Sequence, residues 1–245
     1  MSTGIIIQAR MGSNRLPGKV LEPLAGREVL WHVVRRCQRS READKLIVAT
    51  SDDAVDDVVF ELCRRHDFAC YRGSEADVLE RYYLCAGRYE LDVIVRVTAD
   101  SPLIDPEIID QSVRAFRRRR VDYLSNRRLP PGLGCEVFTF DALARAHEQA
   151  SRPPERDHVT PYMIEHAHTS AYVVPHEYQA DHRLTLDFEE DYRLLAELYD
   201  RFYPADGSGM VDVRQVIRYL DLHPEVAALN AGVERPADGT DEPSR

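Results

Sequence analysis

No apolar run in the 245 residues approaches the ~20 that a membrane-spanning helix needs. The opening Met1-Ser2-Thr3-Gly4-Ile5-Ile6-Ile7-Gln8 lacks both the charged lead and the long apolar core of a signal peptide. A cytoplasmic location away from the membrane is therefore the expectation. The five cysteines, Cys37, Cys63, Cys70, Cys85 and Cys135, are odd in number, scattered, and form no CxxC pair. This leaves no recognisable zinc or redox motif and predicts free thiols in a reducing compartment. Basic residues are outnumbered, 32 Lys and Arg against 42 Asp and Glu, for a formal charge of −10. Such a field repels polyanions, so nucleic acid is not the expected ligand. No Ser/His/Asp or Cys/His set has motif context, so a hydrolase with a covalent nucleophile has no support. Tryptophan occurs once, at Trp31, where packing explains it.

What remains is the make-up of a folded α/β protein, 44% hydrophobic and 30% charged, for which one domain suffices. Short apolar runs at 4–9, 45–50, 68–71, 93–98 and 123–125 read as strands. They alternate with amphipathic helical patterns at 28–39, 53–65, 77–91 and 106–118, the alternation of βαβ units on a mostly parallel sheet. The second half is less regular. A loop is expected over 127–134, a strand over 135–140, a helix from Asp141, a linker over 151–155 and a helix over 156–166. Strands are expected at 171–174 and 184–187, and helices over 190–203 and 211–220. Residues 1–236 read as a single domain and 237–245 as a polar, disordered tail.

In open α/β sheets ligands bind beyond the carboxyl ends of the strands. Those positions are polar here: Gln8-Ala9-Arg10, Thr50-Ser51-Asp52-Asp53 and Thr98-Ala99-Asp100. Between Arg10 and Lys19 lies a segment with three cations, Gly12, Ser13, Gly18 and no acid. Backbone N–H groups and flanking Arg and Lys suit a triphosphate. The spacing is not that of a Walker loop, because Val20 stands where a hydroxyl is required. Mg²⁺ calls for carboxylates, and Asp100 and Asp187 each follow an apolar run, although a lone aspartate there is more often a cap or a turn residue. Asp191 and Glu190 are explained as the acidic first turn of a helix. The run Arg117 to Arg120 reads as a solvated helix end, and the pair His166 and His168 lacks a third metal ligand.

Residues 5–19, IIIQARMGSNRLPGK, closely resemble the signature of the cytidylyltransferases that activate 3-deoxy-octulosonate and nonulosonic acids. The spore-coat polysaccharide cytidylyltransferase-like branch is the most similar. The resemblance continues through 48–53, 96–104, 136–138, 158–162 and 184–192, nearly the whole chain. It implies a GT-A-like (Rossmann-like) mostly parallel sheet flanked by helices, with a small, less regular acceptor and dimerisation portion, and a homodimer. It implies Mg²⁺-dependent transfer of CMP from CTP to a small acidic acceptor with release of pyrophosphate. By position, Arg10 and Lys19 grip the triphosphate and Asp100 and Asp187 hold the metal. Gln8, Ala9, Gly12, Ser13, Arg15, Thr50, Ser51, Asp52 and Thr98 line the nucleotide. The chain departs from the sugar-acid enzymes in having Thr98 and Ala99, not glutamine and glycine, before Asp100. For the acceptor the candidates are Arg127, Arg128, Glu136, Arg156 and His158, the last two expected to open a helix whose N–H groups favour anions. A GT-A glycosyltransferase using a sugar nucleotide is the alternative, disfavoured by the cation-rich loop. A non-catalytic nucleotide-binding protein is a third reading.

Overall fold

The computed structural model describes residues 1–204, 206–207 and 209–233; the expected tail at 237–245 lies outside them. The chain opens with β1 (Thr3–Gln8), a two-rung hairpin of β2 (Pro23–Leu24) and β3 (Arg27–Glu28), and α1 (Val29–Cys37). Then come β4 (Lys45–Ser51), α2 (Asp57–Arg65), β5 (Cys70–Gly73), α3 (Val78–Arg88) and β6 (Val93–Thr98). The second half runs through α4 (Pro106–Arg119), β7 (Tyr123–Arg127), β8 (Glu136–Thr139) and α5 (Phe140–Gln149). It ends with α6 (Pro153–His158), α7 (Pro161–His166), β9 (Thr169–Val173), α8 (Glu189–Phe202), α9 (Val213–Leu222) and the one-turn α10 (Pro224–Ala227).

Seven strands form one sheet in the order β5-β4-β1-β6-β8-β7-β9. β1 lies centrally, parallel to both β4 and β6, and is buried on both faces, with Ile5, Ile6 and Ile7 fully covered, as a parallel strand between helical layers must be. Its side chains alternate between the layers. Ile5 and Ile7 join α1, α2 and α4 in one core, while Ile6 joins α3, α5 and Met163 of α7 in another. β8 alone in this sheet runs antiparallel, against β6 and β7. The carboxyl ends of β5, β4, β1, β6 and β7 consequently share one rim. A third core packs Leu24 and Val29 against Leu194, Leu195 and Leu198 of α8 and Val213, Val216 and Leu220 of α9.

Three expectations are corrected. The strand expected over 184–187 is irregular, because its amides bond to two different loops, Leu184 N to Pro131 O (2.9 Å) and Leu186 N to Asp100 O (2.8 Å). The helix expected over 156–166 is two short helices. Pro161 offers no amide and disfavours helical backbone before it, and Val159 between them takes a φ of 70°. The expected linker at 151–155 already contains the start of α6, so Arg156 and His158 close a helix where they were expected to open one.

Candidate active site

The segment after β1 is folded back on itself. Met11 O accepts from both Ser13 N (2.8 Å) and Gly18 N (3.1 Å), and Met11 N donates to Asp56 Oδ1 (2.6 Å). Asp56, wholly buried, also accepts from Ser51 Oγ at the end of β4. Gly18 turns the chain with a φ of 76° into a short 3-10 turn over Lys19–Leu21, a conformation glycine adopts at little cost. Val20 anchors that turn in the core, and Lys19 beside it is buried with its amine aimed across the rim.

The Lys19 Nζ donates to Asp100 Oδ2 and to Asp187 Oδ1, each at 2.8 Å. Arg15 Nη2 reaches the same Asp187 oxygen at 2.7 Å, with its guanidinium 4.9 Å from the centre of the Phe188 ring. Asp100 is positioned by the β1–β6 pairing, which continues past the strands through Ala99 N to Gln8 O (2.9 Å). Asp187 is held from behind: its second oxygen, Oδ2, accepts from Arg183 Nη2 (2.7 Å), and its amide donates to Asp191 Oδ2 (3.0 Å). Arg183 Nε is bonded in turn to Asp191 Oδ1 (2.9 Å), and Asn230 Nδ2 donates to the Arg183 carbonyl (3.0 Å) and to Asp191 Oδ1 (2.8 Å). Burial opposes the charge on Lys19, but the two carboxylates outweigh it and raise its pKa. Burial also opposes the charge on Asp100, and the ammonium of Lys19 outweighs it, holding the carboxyl below its ordinary range. Buried ions are sustained only when paired and hydrogen-bonded in this way.

The remaining rim residues surround this cluster. Arg10, Gly12 and Asp52 are exposed, Ser13 Oγ accepts from Leu16 N (3.3 Å), and Thr50 is fully buried with its hydroxyl unpartnered among the described residues. Thr98 Oγ1 faces Ser101 Oγ at 3.3 Å, and Gln8 accepts from Arg96 at 3.4 Å. Arg183 and Asp191, which support Asp187, were not among the expected site residues. Their spacing of four and eight along 183, 187 and 191 is the signal that could have found them.

The family model described as Cytidylyltransferase matches residues 4–210. The chain belongs to the cytidylyltransferase family. It is 40% identical over 230 residues to the uncharacterized protein MJ1063 of Methanocaldococcus jannaschii, covering 94% of this chain and 95% of that one. It is 38% identical over 166 residues to the spore coat polysaccharide biosynthesis protein SpsF of Bacillus subtilis, covering 66% of this chain and 69% of that one. The solved structure of a cytidylyltransferase from Leptospira borgpetersenii superposes with a TM-score of 0.86 at 31% identity, covering 96% of this chain and all of the other. The chain is thus a nucleotidyltransferase with the α/β fold of the cytidylyltransferases.

The expected acceptor residues of this cytidylyltransferase do not form one cluster. Arg127, the last residue of β7, and Arg128 just past it are exposed, on the same rim as Asp100. Glu136 is paired with Arg96 and accepts from Tyr123 Oη (2.5 Å) and Thr160 Oγ1 (2.9 Å). Arg156 donates through Nε to Asp77 Oδ2 (2.8 Å) and through Nη1 to the His147 carbonyl (2.8 Å). His158 is exposed.

Proposed function

We propose that this enzyme transfers CMP from CTP to a small anionic acceptor, a sugar acid, phosphate or phosphonate, with release of pyrophosphate. The observation that carries the reading is the Lys19 amine bridging Asp100 and Asp187 at the carboxyl-end rim. Two carboxylates already converging on one cation are a donor set suited to Mg²⁺, which takes one or two protein carboxylates and completes its shell with phosphate and water. Among the described residues no set of three or more His, Cys, Asp or Glu is gathered to hold a metal alone. Asp100 and Asp187 would hold the ion, and a bound Mg²⁺ supplies charge neutralisation at the phosphates.

The protein's own part is grip and alignment. Arg10 and Lys19 flank the folded-back loop and Arg15 lies within it, three cations that suit phosphate oxygens. In the reaction an acceptor oxygen attacks the α-phosphorus, the new P–O bond forms opposite the bond to the β-phosphate, and pyrophosphate leaves with that electron pair. Arg10 and Lys19 stabilise the departing charge. Arg127 and Arg128, on the same rim as Asp100 but with β8 between β7 and β6, would meet the acceptor's negative charge, with His158 as a further donor. The reading carries with it a cytoplasmic homodimer that makes an activated sugar for polysaccharide assembly.

A pyrophosphate-release screen of four nucleoside triphosphates against sugar acids, phosphates and phosphonates tests it. Turnover is expected with CTP, with Mg²⁺, and with a small anion. Asp100→Asn and Asp187→Asn should each lower kcat by roughly 10²-fold or more, the scale of losing a major stabiliser of transition-state charge. Wild-type turnover in either variant would remove that residue from the site.

A further inference from the structure

The chemistry of the rim makes no use of the far end of α8. Glu189 opens that helix two residues past Asp187, and Tyr199 lies ten residues further on, roughly 15 Å along the axis. There the turn between β2 and β3, α1 and the end of α8 enclose a groove of two adjoining hollows, of about 100 Å³ and 390 Å³. Trp31, Tyr199, Tyr203 and Gly207 stand in the walls of both.

The two hollows differ in charge. Arg35, Arg36 and Arg39, all from one side of the groove, line the smaller hollow, and no acid lines it with them. Asp200 and Asp206 line the larger one together with Arg27. Arg27 and Arg35 also lie over the Trp31 ring, 5.3 and 5.8 Å from its centre. In a chain of formal charge −10 this is a local concentration of positive charge. His32 in the same wall feels it: burial first, with Arg36 and Arg27 adding to it, lowers its pKa. A space of the smaller hollow's size takes one phosphate-sized group, which guanidinium recognises through paired donors. The larger hollow is of the size of small-molecule sites, ~300–1,000 Å³. Trp31 and Tyr203 are half-buried beside it, and such rings offer faces on which a planar base stacks whatever its identity.

We propose that this groove is a second ligand site, for a nucleoside monophosphate, with the phosphate among Arg35, Arg36 and Arg39 and the base against Trp31 and Tyr203. A flat ring joined through a sugar to a single anionic group fills both hollows. The groove contains none of the residues of the transfer site, yet it adjoins their support. Tyr199 Oη donates to the Pro102 carbonyl (2.6 Å) and Arg36 Nε to the Ile104 carbonyl (2.5 Å), both in the loop that follows Asp100.

The test follows the fluorescence of Trp31, the single tryptophan, as the full chain is titrated with each of the four ribonucleoside monophosphates, their nucleosides, ribose 5-phosphate and inorganic phosphate. At least one nucleotide should give a saturable change and bind roughly 10-fold or more tightly than its nucleoside, ribose 5-phosphate or phosphate. Arg35→Glu, a charge reversal at an exposed position of α1, should weaken that nucleotide by roughly 10-fold or more. Lys19→Ala should leave its affinity unchanged, because Lys19 belongs to the transfer site. No saturable change with any nucleotide overturns the assignment, as does ribose 5-phosphate or phosphate binding as tightly as the nucleotides. Binding lost in Lys19→Ala and kept in Arg35→Glu also overturns it, because the nucleotide then sits at the transfer site. Should a thermal melt show Arg35→Glu to be unfolded, Tyr203→Leu, which removes a stacking face and keeps an apolar wall, takes its place with the same expected weakening.

Discussion

Lysine is scarce in this chain: two residues, Lys19 and Lys45, stand among 32 basic side chains. One of them occupies the gap between two carboxylates, where its compact ammonium donates to both. Removing that amine by Lys19→Ala leaves Asp100 and Asp187 facing each other with less positive charge between them. Mg²⁺ should then raise the melting temperature of the variant more than that of wild type, in which the cation competes with Lys19. A melt of both proteins with and without Mg²⁺ checks this; a variant indifferent to Mg²⁺ would argue against the carboxylate pair as a metal site. His32 makes a second prediction of the same scale. Its Nε2 lies 2.7 Å from the Leu24 carbonyl and its ring packs edge-on against Trp31, Tyr199 and Tyr203. Burial, reinforced by Arg36 and Arg27 and opposed by the Leu24 bond and Glu28, lowers its pKa to about 4. The unfolded chain takes up this proton below about pH 6.5, whereas the folded chain does so only near the lowered value. The contribution is whole above that window and is lost as pH falls through it, about 3 kcal/mol in all. Urea titrations of wild type and His32→Gln across pH 4 to 7 should differ in slope within that window; parallel curves would mean that His32 is not the titrating group.

At the scale of elements, Gly132 shows how a loop fixes a site. Its φ is 96°, and a Cβ there would land on the backbone of Leu184 and Thr185, the segment that leads into Asp187. Gly26 has a φ of 76° but open space around it. Gly132→Ala should therefore cost roughly 2–4 kcal/mol, the left-handed penalty plus overpacking, and Gly26→Ala only about 1. Urea midpoints test the order, and only Gly132→Ala should also lower kcat. The same segment shows where legibility ended. Strands β1, β4 and β6 were readable because each is a continuous apolar run buried on both faces, and α1 to α4 because their apolar faces repeat at helical spacing. Leu184 and Leu186 also alternate like a strand and are both fully buried. Their partners are loops distant in sequence, which no local pattern reveals. The β2–β3 hairpin is two residues a side, too short for any period. For the site, Lys19, Asp100 and Asp187 were candidates by their place in polar segments after apolar runs, and the family resemblance implied their roles. The pairing of Arg15 with Asp187, 172 residues away, depends on the fold. Asp191 looked like a helix-dipole residue and is also half of a buried ion pair, a second role invisible without Arg183 beside it.

At the scale of the molecule, the three cores are not separable units. The alternating isoleucines of β1 make the sheet a wall shared by two of them. The third is joined through α1, which gives Val29 to one core and Leu30, Val33 and Val34 to another. Buried Arg36 adds a polar tie, bonding the Ile104 carbonyl before α4 and the Val211 carbonyl before α9. Asn230, near the end of the described chain, bonds the support of Asp187, so the candidate site draws on late residues. Among the described residues these ties join the three cores, whereas a domain border is usually marked by few crossing contacts. The expectation is one cooperative unfolding transition for the 1–236 unit. Trp31, the single tryptophan, sits on α1 beside His32, within the ring cluster that reaches Tyr199 and Tyr203 of the C-terminal part. Its fluorescence therefore reports on the junction, whereas far-ultraviolet circular dichroism reports on all the helices. The two signals should give the same urea midpoint and the same slope. A fluorescence midpoint well below the dichroism midpoint would mean that α8 and α9 detach first and that the C-terminal part is a domain of its own.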